Sequence, residues 1–267
     1  MKKIQLEKAT LISDAHFGEF YTIENKFEYF QEFTKNLDTD ALVILGDFFD
    51  FWYEYKQVIP KRHYKLLRTM ETLISKGTKV YYLAGNHDFS LGNFLEEEIG
   101  LQTFGKESQF ALQSGDRKIL CVHGDEANAK LKYQFVKKML KNDVCNKFFS
   151  WIHPDIGIYL ADQISSKNRY LHESKSFPQE FPDDYDFRLV SFANDNLKNG
   201  FDGVIAGHYH LPRLLRSSNG FYLNLGDWRK KFTFGEIING EPKLFKWNGS
   251  MKIQIDGYSL QNPEIFK

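Results

Sequence analysis

Seven side chains able to bind a metal ion stand in five short motifs along this 267-residue chain. Asp14 and His16 form a D-x-H pair, Asp47 follows Gly46, and Asn86 lies in GNHD. His123 opens HGD, and His208 and His210 are the two imidazoles of GHYH. Carboxylate, amide-oxygen and imidazole donors suit Mn²⁺, Fe²⁺, Zn²⁺ or Mg²⁺ without selecting one. No thiolate stands in these motifs, which argues against a structural zinc site. Singly, a D-x-H or an H-G-D is more often a turn than a ligand site, because Asp and Asn favour turns for their own reasons. The five in order, each directly after a short apolar run, point to one shared centre.

The runs are the elements that must position those groups. Residues 9–13, 41–45, 79–84, 118–122 and 203–206 are short and apolar, and each ends at one of the motifs. Their length and β-branching predict buried strands. Helical patterns at 24–36 and 62–76 fill the gaps. Alternation of strand and helix implies a layered α/β sheet. In such sheets the ligand crevice lies beyond the carboxyl ends of the strands, where all five motifs sit. Residues 127–150 and 151–168 read as helical and 176–184 (SFPQEFPDD) as a loop, so a helical cap inserted at about 126–200 is expected. Runs at 221–225, 232–238 and 243–247 predict antiparallel strands of a second sheet. The expected organisation is one domain over 1–248 carrying the cap, followed by a tail, 249–267, with no readable element.

Bulk composition narrows the partners. Lys and Arg together number 35, as do Asp and Glu, so no broad basic field invites nucleic acid. Aromatics reach 16%, with 25 Phe, which signals either a bulky core or an apolar surface for a greasy ligand. Two cysteines make no disulfide framework, and the first residues are too charged for a signal peptide. No stretch approaches the ~18 apolar residues of a membrane span. A cytoplasmic protein is expected, with any membrane contact peripheral.

The ordered set D-x-H, GD, GNHD, HGD and GHYH resembles the calcineurin-like metallophosphoesterase family across about residues 9–227. The resemblance implies a four-layer αββα sandwich. It also implies one ion held by Asp14, His16, Asp47 and His210, and a second by Asp47, Asn86, His123 and His208, with Asp47 bridging. Two cations roughly 3.5–4 Å apart would make a water between them nucleophilic near neutral pH and offset charge on phosphoryl oxygens. His87, beside Asn86, would donate a proton or hydrogen bond to the leaving oxygen, and Asp88 would orient His87.

The contexts GDFFDFW, GNHDFSLG, HGDE, GHYHLPR and NLGDW look like the UDP-2,3-diacylglucosamine diphosphatase branch of that family. Its members release UMP and lipid X from a nucleotide-linked diacyl sugar during lipid A biosynthesis, and Mn²⁺ is the ion the resemblance suggests. One position departs: the best-known members carry Arg after the ligand Asn, whereas this chain carries His87. The alternative is a dinuclear phosphoesterase for a soluble nucleotide, another phosphodiester or a phosphoprotein. The cap region adds an independent clue. Phe148, Phe149, Trp151, Ile152, Ile156, Tyr159 and Leu160 continue an apolar series begun by Phe135, Val136, Met139 and Leu140. Six lysines accompany a single acid, Asp143, between Lys130 and Lys147. That pairing suits acyl chains at the anionic cytoplasmic face of an inner membrane. Candidate substrate contacts are Asp125, Ser166, Lys167, Arg169, Lys175 and Arg213.

Overall fold

The computed structural model describes residues 1–18, 25–105, 107–127, 147–173, 186–259 and 266; the side chains of Glu126 and of residues 164–173 lie outside that description. The chain begins with β1 (Lys3–Gln5), β2 (Lys8–Ile12), α1 (Lys26–Lys35), β3 (Ala41–Leu45) and β4 (Trp52–Tyr53). Then come α2 (Tyr64–Ser75), β5 (Lys79–Leu83), β6 (Asp88–Ser90), α3 (Phe94–Glu97), β7 (Gln102–Phe104), β8 (Gln109–Ser114) and β9 (Arg117–Val122). Helices α4 (Pro154–Glu173) and α5 (Phe187–Lys198) precede β10 (Gly203–Ala206), β11 (Arg213–Ser217) and β12 (Gly220–Asn224). Strands β13 (Thr233–Ile238), β14 (Glu241–Trp247) and β15 (Lys252–Ile255) complete the described elements.

Two sheets result. One has the order β15-β14-β13-β2-β3-β5-β7 and the other β1-β8-β9-β10-β12-β11. The central strands β2, β3 and β5 run parallel, as do β9, β10 and β12. Strand β3 shows why the sequence forms this sandwich. All five residues of ALVIL are buried, and successive side chains point to opposite faces. Ala41, Val43 and Leu45 join the core between the sheets, with Phe110, Ile119, Cys121, Ile205 and Leu223 opposite. Leu42 and Ile44 face the other way, against Phe30 and Phe33 of α1 and Leu66, Leu67 and Met70 of α2. Continuous apolar strands of this kind require cover on both faces.

The second sheet is covered by α5. Leu189, Val190, Ala193 and Leu197 recur at helical spacing and pack on Leu120, Val122, Val204 and Ala206. The layers are therefore helix, sheet, sheet, helix. Helix α5, within the stretch read from the sequence as cap, packs on this second sheet. The tail also contributes more than its sequence suggested: β15 pairs antiparallel with β14 at the sheet edge. No helix among the described residues is long and apolar enough to cross a membrane.

Candidate dinuclear metal centre

All seven candidate ligands lie in loops that leave the carboxyl ends of β2, β3, β5, β9 and β10. The loops are stitched by their backbones. Asp14 N–H donates to Gly46 O (3.1 Å), His16 N–H to Asp47 O (2.9 Å), and Gly207 N–H to His123 O (2.8 Å). Glycine permits two of these approaches. A Cβ on Gly46, at φ +85°, would stand 2.4 Å from His123 Nδ1, and one on Gly207 would stand 2.4 Å from Asp14 Oδ2. Five of the seven candidates adopt left-handed backbone: Asp14 (52°), His16 (46°), Asp47 (52°), His208 (67°) and His210 (55°). Each such non-glycine residue costs about 1–3 kcal/mol, and that strain persists only where the surroundings over-determine it. Its concentration here marks the site.

The side chains converge on the two carboxylates. Asp47 Oδ2 faces His123 Nε2 at 3.5 Å, His16 Nε2 at 3.9 Å and His87 Nε2 at 4.0 Å. Asp14 Oδ1 is buried with no hydrogen-bond donor among the described residues, and His210 Nε2 stands 3.4 Å away. These spacings are mostly long for hydrogen bonds, yet they match donors sharing an ion at roughly 2.0–2.2 Å from each. Three groups, Asp14/His16/His210, His16/Asp47/His87 and Asp14/Asp47/His123, each place their ligand atoms within 4.8 Å of one another. Asn86 Oδ1 lies 3.0 Å from His123 Nε2. His208 stacks edge-on against His123, with centroids 5.1 Å apart, and its backbone N–H donates to Asp14 Oδ2 (2.8 Å). The donor set suits a dinuclear metal site.

Protonation in this ring follows from the packing. Burial alone would raise both carboxylates, but His210 and His123 hold Asp14 below its ordinary value, and His123 and His87 hold Asp47 well below. Burial would depress His123, yet Asp47 raises it well above the ordinary imidazole value, and Asp14 does the same for His210. His208, buried beside the charged His123, is pushed down to about 4. The two carboxylates thus favour the protonated forms of His123 and His210. Metal ions would compete with protons for these rings.

The neighbouring residues depart from the sequence reading in two places. Asp88, expected to orient His87, contacts other groups. Its carboxylate accepts from Tyr82 Oη (2.5 Å), Gly85 N–H (2.8 Å) and Asp47 N–H (3.0 Å), so it fixes the loops carrying Asp47 and Asn86. Burial and Asp47 lift Asp88 to about 6. His87 is held instead by the Asp50 carbonyl, 2.7 Å from its Nδ1. Arg213, expected to contact substrate, is occupied by partners within the protein. It is fully buried, paired with Asp186 at 2.8 Å, and donates to the tail carbonyls of Tyr258 (2.9 Å) and Ser259 (3.3 Å). Asp125 is buried beside His123 and His208 and favours their protonated forms. Lys175 and the apolar series Phe135, Val136, Met139 and Leu140 lie outside the described residues. The same holds for the side chains of Ser166, Lys167 and Arg169, whose backbone is in α4.

Two further residues went unassigned in the sequence reading. Asp50 is buried with Oδ1 3.5 Å from His16 Nδ1, placed to fix the orientation of that imidazole. Its signal was the second Asp of GDFFD. Lys26 is buried at the start of α1; its ammonium donates to the carbonyls of Ala15 and His16 and lies 4.8 Å from the Phe17 ring centroid. Nothing in a single amphipathic helix distinguishes such a lysine beforehand.

The family model for calcineurin-like phosphoesterases matches residues 8–212, and the chain belongs to that family; it is a metal-dependent hydrolase. Within the family it is similar to UDP-2,3-diacylglucosamine hydrolases. The enzyme of that name from Haemophilus ducreyi is 30% identical over 221 residues, covering 82% of this chain and 90% of that one. The Porphyromonas gingivalis enzyme is 28% identical over 240 residues, covering 83% and 90%. Among solved structures, the E. coli phosphoesterase YfcE overlaps with a TM-score of 0.46 at 14% identity, covering 93% of this chain and 98% of that one. That overlap is too loose to argue from.

Proposed function

We propose that this protein hydrolyses the pyrophosphate bond of UDP-2,3-diacylglucosamine, giving UMP and 2,3-diacylglucosamine 1-phosphate, in lipid A biosynthesis. The observation that carries the reading is the ring of seven donors, set beside an aromatic cluster contributed partly by the cap. Asp14, His16 and His210 would hold one ion and Asn86, His123 and His208 the other, with Asp47 between them. When bound, two divalent ions, Mn²⁺ on this reading, would activate a water and offset phosphoryl charge. The protein's own groups then do the positioning. The Asp50 carbonyl holds the His87 Nδ1 proton and leaves Nε2 toward Asp47. His87 therefore donates to the leaving phosphate only as the doubly protonated ring.

The cap supports an acylated substrate. Phe149 lies with its ring centroid 4.7 Å from that of Tyr53 and 5.9 Å from that of Phe51, and Phe51 directly follows Asp50. An apolar wall thus begins one residue from the metal loops. Arg62 ties this wall to the body, donating to both carboxylate oxygens of Asp162 at 3.1 and 3.0 Å. Phe148, Trp151, Ile156 and Tyr159 are exposed, Trp151 by 77%, and suit a peripheral contact with the cytoplasmic face of the inner membrane. Ser166, Lys167, Arg169 and Lys175 would contact the nucleotide sugar.

The test is Mn²⁺-dependent UMP release from UDP-2,3-diacylglucosamine, beside UDP-N-acetylglucosamine and bis-p-nitrophenyl phosphate, with Asp47→Ala as control. Selective turnover of the diacyl substrate, lost in the control, is expected. Turnover of bis-p-nitrophenyl phosphate alone would favour the second reading, a phosphoesterase for a soluble nucleotide or other phosphoester. His87, standing where the best-known branch has Arg, is the observation on that side.

A further inference from the structure

The turn after β12 touches the metal loops at two points, and both belong to the same candidate ion. Trp228 N–H donates to the carbonyl of Ser13, the residue before Asp14, at 3.1 Å. Lys231 Nζ donates to the carbonyl of His210 at 2.9 Å. Asp14 and His210 are both in strained left-handed backbone, at 52° and 55°. Such conformations need external support.

The turn itself is built around one carboxylate. Asp227 is buried, and its Oδ1 accepts from the backbone N–H groups of Arg229 (3.1 Å), Lys230 (2.6 Å) and Lys231 (3.0 Å). Its Oδ2 accepts from Lys231 Nζ at 2.8 Å. Thr233 closes the base, with Asp227 N–H donating to Thr233 Oγ1 at 3.2 Å. The ammonium of Lys231 therefore has a fixed origin and a fixed target. The ligands of the other candidate ion alone have supports elsewhere: His123 Nδ1 is held by Leu45 O at 2.8 Å, and Asp88 holds Gly85, next to Asn86.

We propose that Asp227 and Lys231 are positioning residues for one ion alone, the one assigned to Asp14, His16 and His210, and that they set its affinity by clamping the His210 backbone. The inference rests on the dinuclear reading of the site. It carries a sign that simple electrostatics does not. A lysine ammonium repels a nearby divalent cation, so its removal should tighten ion binding if charge were all that mattered. A clamp predicts the opposite, because His210 Nε2 is released from its orientation toward Asp14.

The experiment is Mn²⁺ titration of wild type, Lys231→Met and Lys230→Met, followed by calorimetry and by electron paramagnetic resonance. Lys230 carries the same charge on the same turn without the bond to His210, so it separates charge from clamping. Lys231→Met is expected to weaken one ion by about 10–100-fold and leave the other unchanged, so that a mononuclear Mn²⁺ signal replaces the coupled pair. Lys230→Met should keep both affinities. Unchanged or tighter binding in Lys231→Met, or equal weakening of both ions, overturns the clamp. A wild type that takes up fewer than two ions removes the dinuclear reading itself, and the inference with it.

Discussion

Replacing Arg213 by Met separates a structural arginine from a substrate-binding one. The guanidinium is fully buried, as is its partner Asp186, and it makes three hydrogen bonds, to Asp186, Tyr258 O and Ser259 O. Met fills much of the volume but leaves the Asp186 carboxylate buried without this cation. Breaking one side of a buried pair costs about 3–5 kcal/mol. For a protein of this size that lowers Tm by roughly 10 °C. The double variant Arg213→Met/Asp186→Leu removes both charges and should recover much of the loss, since an apolar pair of similar volume is often neutral. Urea denaturation of the two variants and wild type gives the free energies, and steady-state kinetics at low temperature gives KM. The expected result is a large single-variant destabilisation, substantial recovery in the double variant and an unchanged KM. A stable Arg213→Met protein with a raised KM would refute the structural role and return Arg213 to the substrate.

Other perturbations have equally definite outcomes. His87→Gln should lower kcat by about 10²–10⁴-fold while two metal ions per chain remain, measured by elemental analysis; loss of an ion would make His87 a ligand. Because Asp47 and Asp14 raise His123 and His210 above the ordinary imidazole value, metal binding must compete with protons on these rings at a higher pH than for a free imidazole. Apparent Mn²⁺ affinity should therefore fall as pH drops from 8 to 6, and a pH-independent titration would contradict the competition between protons and metal at these rings. Gly207→Ala places a Cβ 2.3 Å from Ser13 Oγ and 2.4 Å from Asp14 Oδ2, so stability should fall by about 1–3 kcal/mol with weaker metal binding. Phe148→Ser/Phe149→Ser should impair the diacyl substrate far more than bis-p-nitrophenyl phosphate; equal losses on both would remove the acyl contact.

The parts of this molecule most legible in its sequence were those with a short period. Strand β3 was readable because ALVIL must be apolar on both faces of a covered parallel strand, and the motif after it sits where such a strand ends. Helices α1 and α2 announced themselves by Phe and Leu at helical spacing. Edge elements did not. Strand β15 is KIQI with mostly exposed side chains, so no burial pattern marks it, and its pairing with β14 is a tertiary fact. The site divided in the same way. Ligand types and order were visible, but the partners that hold them come from distant positions: Asp50 for His16, Lys26 for the Ala15 and His16 carbonyls, and Asp88 for Asp47. The buried pair of Arg213 with Asp186 was likewise invisible in the sequence, because the two residues lie 27 positions apart.

Anomalous diffraction from crystals soaked in Mn²⁺ would locate the ions. Two peaks are expected, one coordinated by Asp14, His16 and His210 and the other by Asn86, His123 and His208, with Asp47 bound to both. A single peak, or ions bound away from Asp47, would contradict the dinuclear centre.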